Sequence, residues 1–186
     1  MAETPTNADL APMVPGRGCG TCSLCCKVMA IGELEKAPGQ WCPHVVQGKG
    51  CGIYAERPAS CAAFGCGWLH WKEAGDHWFP ARAKMVIAAQ GRTRLAVHVD
   101  PATPNVWKAA PYYADLKRWA RNPARYGFVQ VLVAVGRRMI AILPDRDLDL
   151  GEVPEEAIVV TLALGGGRFT ARVVGPDDPQ FDRLKA

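Results

Sequence analysis

At 186 residues and 20.1 kDa the chain has room for one domain, or for a small module joined to a modest one, and two large domains are excluded. Apolar residues make up 49% and charged residues 22%, the balance of a chain that can bury a core, so a disordered or collagen-like polymer is excluded despite 19 Gly and 15 Pro. The net charge of +4 lies entirely after residue 66, because residues 1–66 carry equal numbers of each sign, and the basic bias is weak.

Residues 1–18 hold three Pro and no aromatic residue, cannot bury enough apolar surface to offset ordering, and are predicted to form a flexible tail. The segment 19–78 is poor in periodic structure, with turns at Ala37-Pro38-Gly39 and Gly48-Lys49-Gly50. Two short helices are predicted there, one over 22–29 and one from Pro58 to about Phe64, where a proline suits the first helical position. After Trp78 the pattern turns to strands. Met85, Ile87 and Ala89 alternate, as do Leu95, Val97 and Val99, with a turn at 90–92 between them. A helix follows from Pro111 to about Ala120, presenting Tyr112, Leu116, Trp119 and Ala120 on one face. Two further hairpins are predicted, 128–135 with 139–143 and 158–164 with 169–174, the last turning at Gly165-Gly166-Gly167. The expected fold class is α+β: an irregular Cys-rich metal-binding module over 19–78, then an antiparallel sheet with one main helix over 79–186, packed on it.

All eight cysteines, Cys19, Cys22, Cys25, Cys26, Cys42, Cys51, Cys61 and Cys66, fall between residues 19 and 66. Disulfides would staple such a segment, but they belong to oxidising compartments and the chain shows no export signal. Inert buried thiols do not account for the spacing. Cys19-x2-Cys22-x2-Cys25 sets three sulfurs one short turn apart, with Gly20, Thr21 and Ser23 small enough for the chain to wrap a metal, so metal binding through these eight residues is the expectation. One zinc usually takes two C-x2-C pairs, whereas a triple run followed by a Cys-Pro, here Cys42-Pro43, matches the bacterial ferredoxin pattern. An iron-sulfur cluster, 4Fe-4S favoured, or Zn2+ is therefore expected. The spacing differs from the C-x3-C-x2-C of radical S-adenosylmethionine chemistry. Adjacent Cys25 and Cys26 point apart in most backbone conformations, which suits two metal atoms or two sites. Eight ligands divide into two sets of four, and spacing does not say which cysteines share an ion.

The string Cys19-x2-Cys22-x2-Cys25-Cys26, then Cys42, Cys51-Gly52-Ile53-Tyr54, Arg57-Pro58-x2-Cys61 and Cys66, resembles the CxxCxxCC zinc- or iron-chelating family, the YkgJ-type cysteine-cluster proteins. The resemblance covers about a quarter of the chain and implies metal chelation with the metal left open. Flagellin lysine methylase carries a similar Cys-rich region, which makes cluster-dependent protein methyl transfer a remote alternative, and nothing in residues 67–186 extends that likeness.

Around the cysteines, His44 reads as a ligand or as a hydrogen-bond donor to one, and His70 as a weaker candidate. Trp41, Phe64, Trp68 and Trp71 read as a dry shell or as the packing of a small core. Arg57 reads as a counter-charge to thiolates or as a helix-entry residue. Asp145, Asp147, Asp149 and Glu156 imitate a calcium loop but lack Gly at its sixth position, where Leu150 stands, so an acidic surface loop is expected. Lys117, Arg118, Arg121, Arg125, Arg137 and Arg138 form a basic run with Trp119 and Tyr126, a solvated face by default and an RNA-binding patch as the alternative. Gly165-Gly166-Gly167 lies between strands, so it is not a phosphate cradle, and His98 has no identifiable partner for catalysis.

The expected function is a cytoplasmic metal-binding protein with redox or electron-transfer capacity. The alternative is a structural-zinc module that binds a protein partner or RNA. No membrane contact is expected, since no apolar run approaches the roughly 18 residues that span a bilayer and the start lacks a basic-then-apolar leader. Whether the chain is an enzyme stays open.

Overall fold

The computed structural model describes residues 12–90 and 93–185. Most of the expected tail, residues 1–11, and the turn residues 91 and 92 lie outside the described residues. The chain divides into two compact units, residues up to 88 together with 98–106, and 89–97 together with 107–186.

The first unit carries short elements. Helix α1 spans Cys25–Val28, strands β1 and β2 span Val45–Val46 and Gly50–Cys51, and helices α2, α3 and α4 span Ala59–Ala63, Gly67–His70 and Pro80–Ala83. The predicted helix over 22–29 shrinks to one turn, because Gly20 and the turn it makes occupy the run before Cys25. Pro58 caps α2 instead of opening it, one residue from its expected place. Pro80 opens α4, which suits a residue without an N–H, and Lys84 closes it in the left-handed region at φ 57°. Strands β3, Met85–Gln90, and β4, Arg94–Val99, follow and contribute to both units. Met85 to Ala88 are all buried, on both faces of β3, whereas Ala89 is exposed. The strict alternation predicted for this strand is replaced by a continuous apolar run, the pattern of a strand covered on both sides.

In the second unit, helix α5 spans Tyr112–Arg121 and α6 spans Pro123–Tyr126. Strands β5, β6 and β7 span Gln130–Val135, Arg138–Ile142 and Asp147–Glu152, β8 and β9 span Ile158–Gly165 and Arg168–Val174, and α7 spans Phe181–Lys185. A five-stranded sheet has the order β3-β4-β5-β6-β7, and β8 pairs with β9 in a separate ribbon. The pairs β5-β6, β6-β7 and β8-β9 are antiparallel, and the fold is α+β. Leu116 and Trp119 of α5 are fully buried and face the sheet, as the helical periodicity predicts. A core of Leu132, Ala141, Leu143, Val153, Val159 and Ala171 lies between the sheet and the ribbon.

The acidic surface loop expected at 145–156 is in large part a strand. Leu148 and Leu150 of β7 turn toward that core, Asp149 between them is exposed, and Asp147 before them is half-buried. Their charges are satisfied locally: Asp147 accepts from the Tyr113 hydroxyl at 2.8 Å and from Lys117 Nζ at 3.2 Å, and Asp149 from Arg138. The period-two alternation of apolar and acidic residues decides the structure over the bulk polarity. Among the described residues no helix is long and apolar enough to cross a membrane.

Candidate metal centre

Gly20 adopts φ 53°, a conformation open to glycine, and reverses the chain so that the Cys22 N–H donates to the Cys19 carbonyl at 2.9 Å. Three residues on, α1 begins at Cys25. Leu24 and Val28, on its inner side, pack with Val86, and Cys22, Cys25, Phe64 and Cys66 lie against this apolar cluster. Cys66 arrives from the other direction as the cap residue of α3. The approach to Cys19 is strapped down: Val14 N–H donates to the Leu69 carbonyl at 2.7 Å. Arg17 Nη1 donates to the Trp68 carbonyl at 2.7 Å, and the guanidinium lies 4.9 Å above the Trp68 ring.

These constraints gather Cys19, Cys22, Cys25 and Cys66 around one small cavity of about 20 Å³, whose remaining walls are Trp68, Leu69, Phe79, Pro80 and Val86. Burial pushes the Cys66 thiol up to about 11, although the Trp68 and Leu69 N–H groups at the start of α3 oppose it by donating toward its sulfur. Cys19 is raised by burial and by the neighbouring Cys22 and Cys26. A thiolate in an apolar recess is costly without a cation to share its charge.

The other cysteines stand on a different frame. The Cys42 N–H donates to the Cys26 carbonyl at 3.0 Å, and Cys42 is buried. The Val45 N–H donates to the Cys42 carbonyl at 3.1 Å, and Val45 is paired with Cys51 across the β1-β2 ladder, so this tight hairpin returns Cys51 toward Cys42. Glu33 accepts from the Ser60 N–H at 2.9 Å and its hydroxyl at 2.7 Å, which clamps α2 and Cys61 to the 32–34 turn. Within this frame Lys36 is buried, and its ammonium donates to the carbonyls of Lys27, Met29 and Ala37. Burial lowers the Lys36 pKa, and Cys42, Cys26, Cys61 and, least, Cys25 lie near enough to oppose that shift. Cys26 is lowered to about 7, chiefly by a hydrogen bond from Cys25 and further by Lys36, and Cys25 is correspondingly raised. The same lysine region is anchored outward by Lys27, whose Nζ lies 2.6 Å from Asp100 Oδ1 and 5.4 Å from the Trp41 ring centroid.

Among the described residues, no three His, Cys, Asp or Glu side chains are already gathered closely enough to hold a metal ion. The donor set nonetheless fits a thiophilic metal. Four cysteines line one small recess with mostly apolar walls, Cys19 at its exposed side, and amide donors reach one of the sulfurs. These thiols surround the cavity without converging on one point, so ligation requires them to turn inward.

The expected neighbours separate clearly. Trp68 lines the cavity and Phe64 packs behind it, while Trp41 is exposed and lies outside any dry shell. Arg57 donates to the Tyr54 carbonyl at 2.7 Å and stacks 4.0 Å from the Tyr54 ring centroid. His44 gives its backbone carbonyl to Gly52. The basic run is largely engaged within its own unit. Lys117 is buried against the Leu143 and Arg146 carbonyls, Arg118 pairs with Asp115 at 2.7 Å, and Arg121 donates to the Pro144 carbonyl. Sequence reasoning missed Lys36 and the wall residues Phe79, Pro80 and Val86, since nothing in their spacing marks them.

Comparison of the chain with family models, with curated proteins and with solved structures finds no match.

Proposed function

We propose that this is a cytoplasmic metal-binding protein that holds its metal through cysteine thiolates in residues 19–66. The observation that carries the reading is that Cys19, Cys22, Cys25 and Cys66, drawn from two distant stretches of the chain, line one largely apolar recess. Buried uncharged thiols need no such gathering, whereas thiolates sharing a cation do. The likeness of the cysteine string to the CxxCxxCC chelating proteins supports the same reading. Metal coordination would also stabilise a segment whose elements are too short to hold themselves together, because ligand binding adds directly to folding free energy.

Zn2+ is one reading of the metal, because four thiolates complete the tetrahedral shell of a structural zinc. An iron-sulfur cluster is the second reading, favoured by the apolar walls that tune a cluster's potential, and it would confer electron transfer or redox sensing. Anaerobic purification with iron, acid-labile sulfide and zinc counted per chain decides between them. Colourless protein with stoichiometric zinc supports the ion, and brown protein with matching iron and sulfide supports the cluster.

A further inference from the structure

We propose that residues 19–66 build two separate thiolate centres, one from Cys19, Cys22, Cys25 and Cys66 and one from Cys26, Cys42, Cys51 and Cys61, dividing between the consecutive residues Cys25 and Cys26. This rests on the thiolate metal-binding reading above.

The cavity lined by the first four sulfurs includes none of the second four. The second set has its own chain of constraints: Cys42 is tied to Cys26 through a backbone hydrogen bond, and Cys51 is returned toward Cys42 by the β1-β2 hairpin. Cys61 is held by the Glu33-Ser60 clamp. A lone ion takes about four thiolates, so one centre would leave half of these cysteines without a role in a segment that contains no other chemistry.

The two surroundings also differ in the way they offset charge. Four thiolates on a divalent ion leave a net charge of about −2. In the second set that charge faces the Lys36 ammonium, which three backbone carbonyls fix in place. In the first set it faces apolar walls and the N–H groups of Trp68 and Leu69. A buried ammonium is expensive unless something nearby is negative, and carbonyl oxygens supply only partial charge. An anionic metal centre beside Lys36 supplies the rest. Cys25 and Cys26 do not point apart as the sequence suggested but are hydrogen-bonded through their side chains, so the two centres lie side by side.

The test is anaerobic titration of the full-length reduced protein with Co2+, followed by thiolate-to-cobalt charge-transfer absorption and by metal counting after desalting. The expected end point is two ions per chain. Cys66→Ser and Cys42→Ser are each expected to bind one ion, and the double substitution none. An end point of one ion in the unsubstituted protein overturns the division, and so does loss of both ions from either single variant that keeps its circular dichroism. Absence of any cobalt-thiolate absorption in the unsubstituted protein instead overturns the metal-binding reading itself. The stoichiometry of the unsubstituted chain stands even if a variant fails to fold.

Discussion

The backbone N–H of Cys42 donates to the carbonyl of Cys26 at 3.0 Å, joining two cysteines sixteen positions apart through the main chain. The link is made by the main chain and uses neither sulfur. The loop between them is guided by Gly39, whose N–H donates to the Lys27 carbonyl at 3.0 Å.

Gly39 adopts φ 85°, and a Cβ there would meet Pro101 Cγ at 2.8 Å. Gly39→Ala is expected to destabilise the protein by roughly 1–3 kcal/mol, combining backbone strain with overpacking. Its metal content should fall as Cys42 is displaced. Chemical denaturation together with elemental analysis checks this, and unchanged values in both would show that the loop does not position Cys42.

Gly67 follows Cys66, and a Cβ on it would meet Ile87 Cγ2 at 2.6 Å and the Ile87 carbonyl oxygen at 3.1 Å. The backbone is therefore pressed against β3, and Gly67→Ala is expected to cost roughly 1–3 kcal/mol and push Cys66 from the cavity. A melting curve and the metal bound per chain read the two effects. Gly16→Ala alters a glycine with no atom within 4 Å of its added Cβ, though at positive φ, and should leave the cavity cysteines loaded.

His98 supplies a pH dependence with a definite sign. Its Nε2 is shielded from solvent and meets no hydrogen-bond partner among the described residues, and burial lowers its pKa to about 4 from 6.5. The unfolded chain binds a proton below 6.5 that the folded protein refuses until about 4, so stability from this residue is complete above 6.5 and is lost as pH falls between those values. The span corresponds to at most about 3 kcal/mol. His98→Leu should flatten the difference in unfolding free energy between pH 6.5 and 4 relative to the unsubstituted protein. Parallel pH curves for the two proteins would contradict it.

The helix periodicity of the second unit was legible because apolar side chains recur there at three to four residues, as in Leu116 and Trp119, whereas the strand carrying Leu148 and Leu150 was not, because the aspartates around them suggested a surface loop. The helix and strand lengths in the first unit were not, because its chain path is fixed by single turns at Gly20 and Gly39 and by long-range clamps such as Glu33 to Ser60. The cysteines announced themselves by spacing. Their grouping did not, since Cys66 joins Cys19 across more than forty residues through the packing of α3 on β3. Lys36 was invisible for a different reason: a buried lysine is recognised by the carbonyls around it, and these come from Lys27, Met29 and Ala37 only after the 32–34 turn folds.

The most direct measurement is the metal bound per chain in freshly isolated, anaerobically handled protein, compared with Cys22→Ser and Cys25→Ser. Stoichiometric metal in the unsubstituted protein is predicted, with a clear loss in both variants and faster proteolysis within residues 19–66. A reduced protein that carries no metal and yet resists protease throughout that segment would contradict the account.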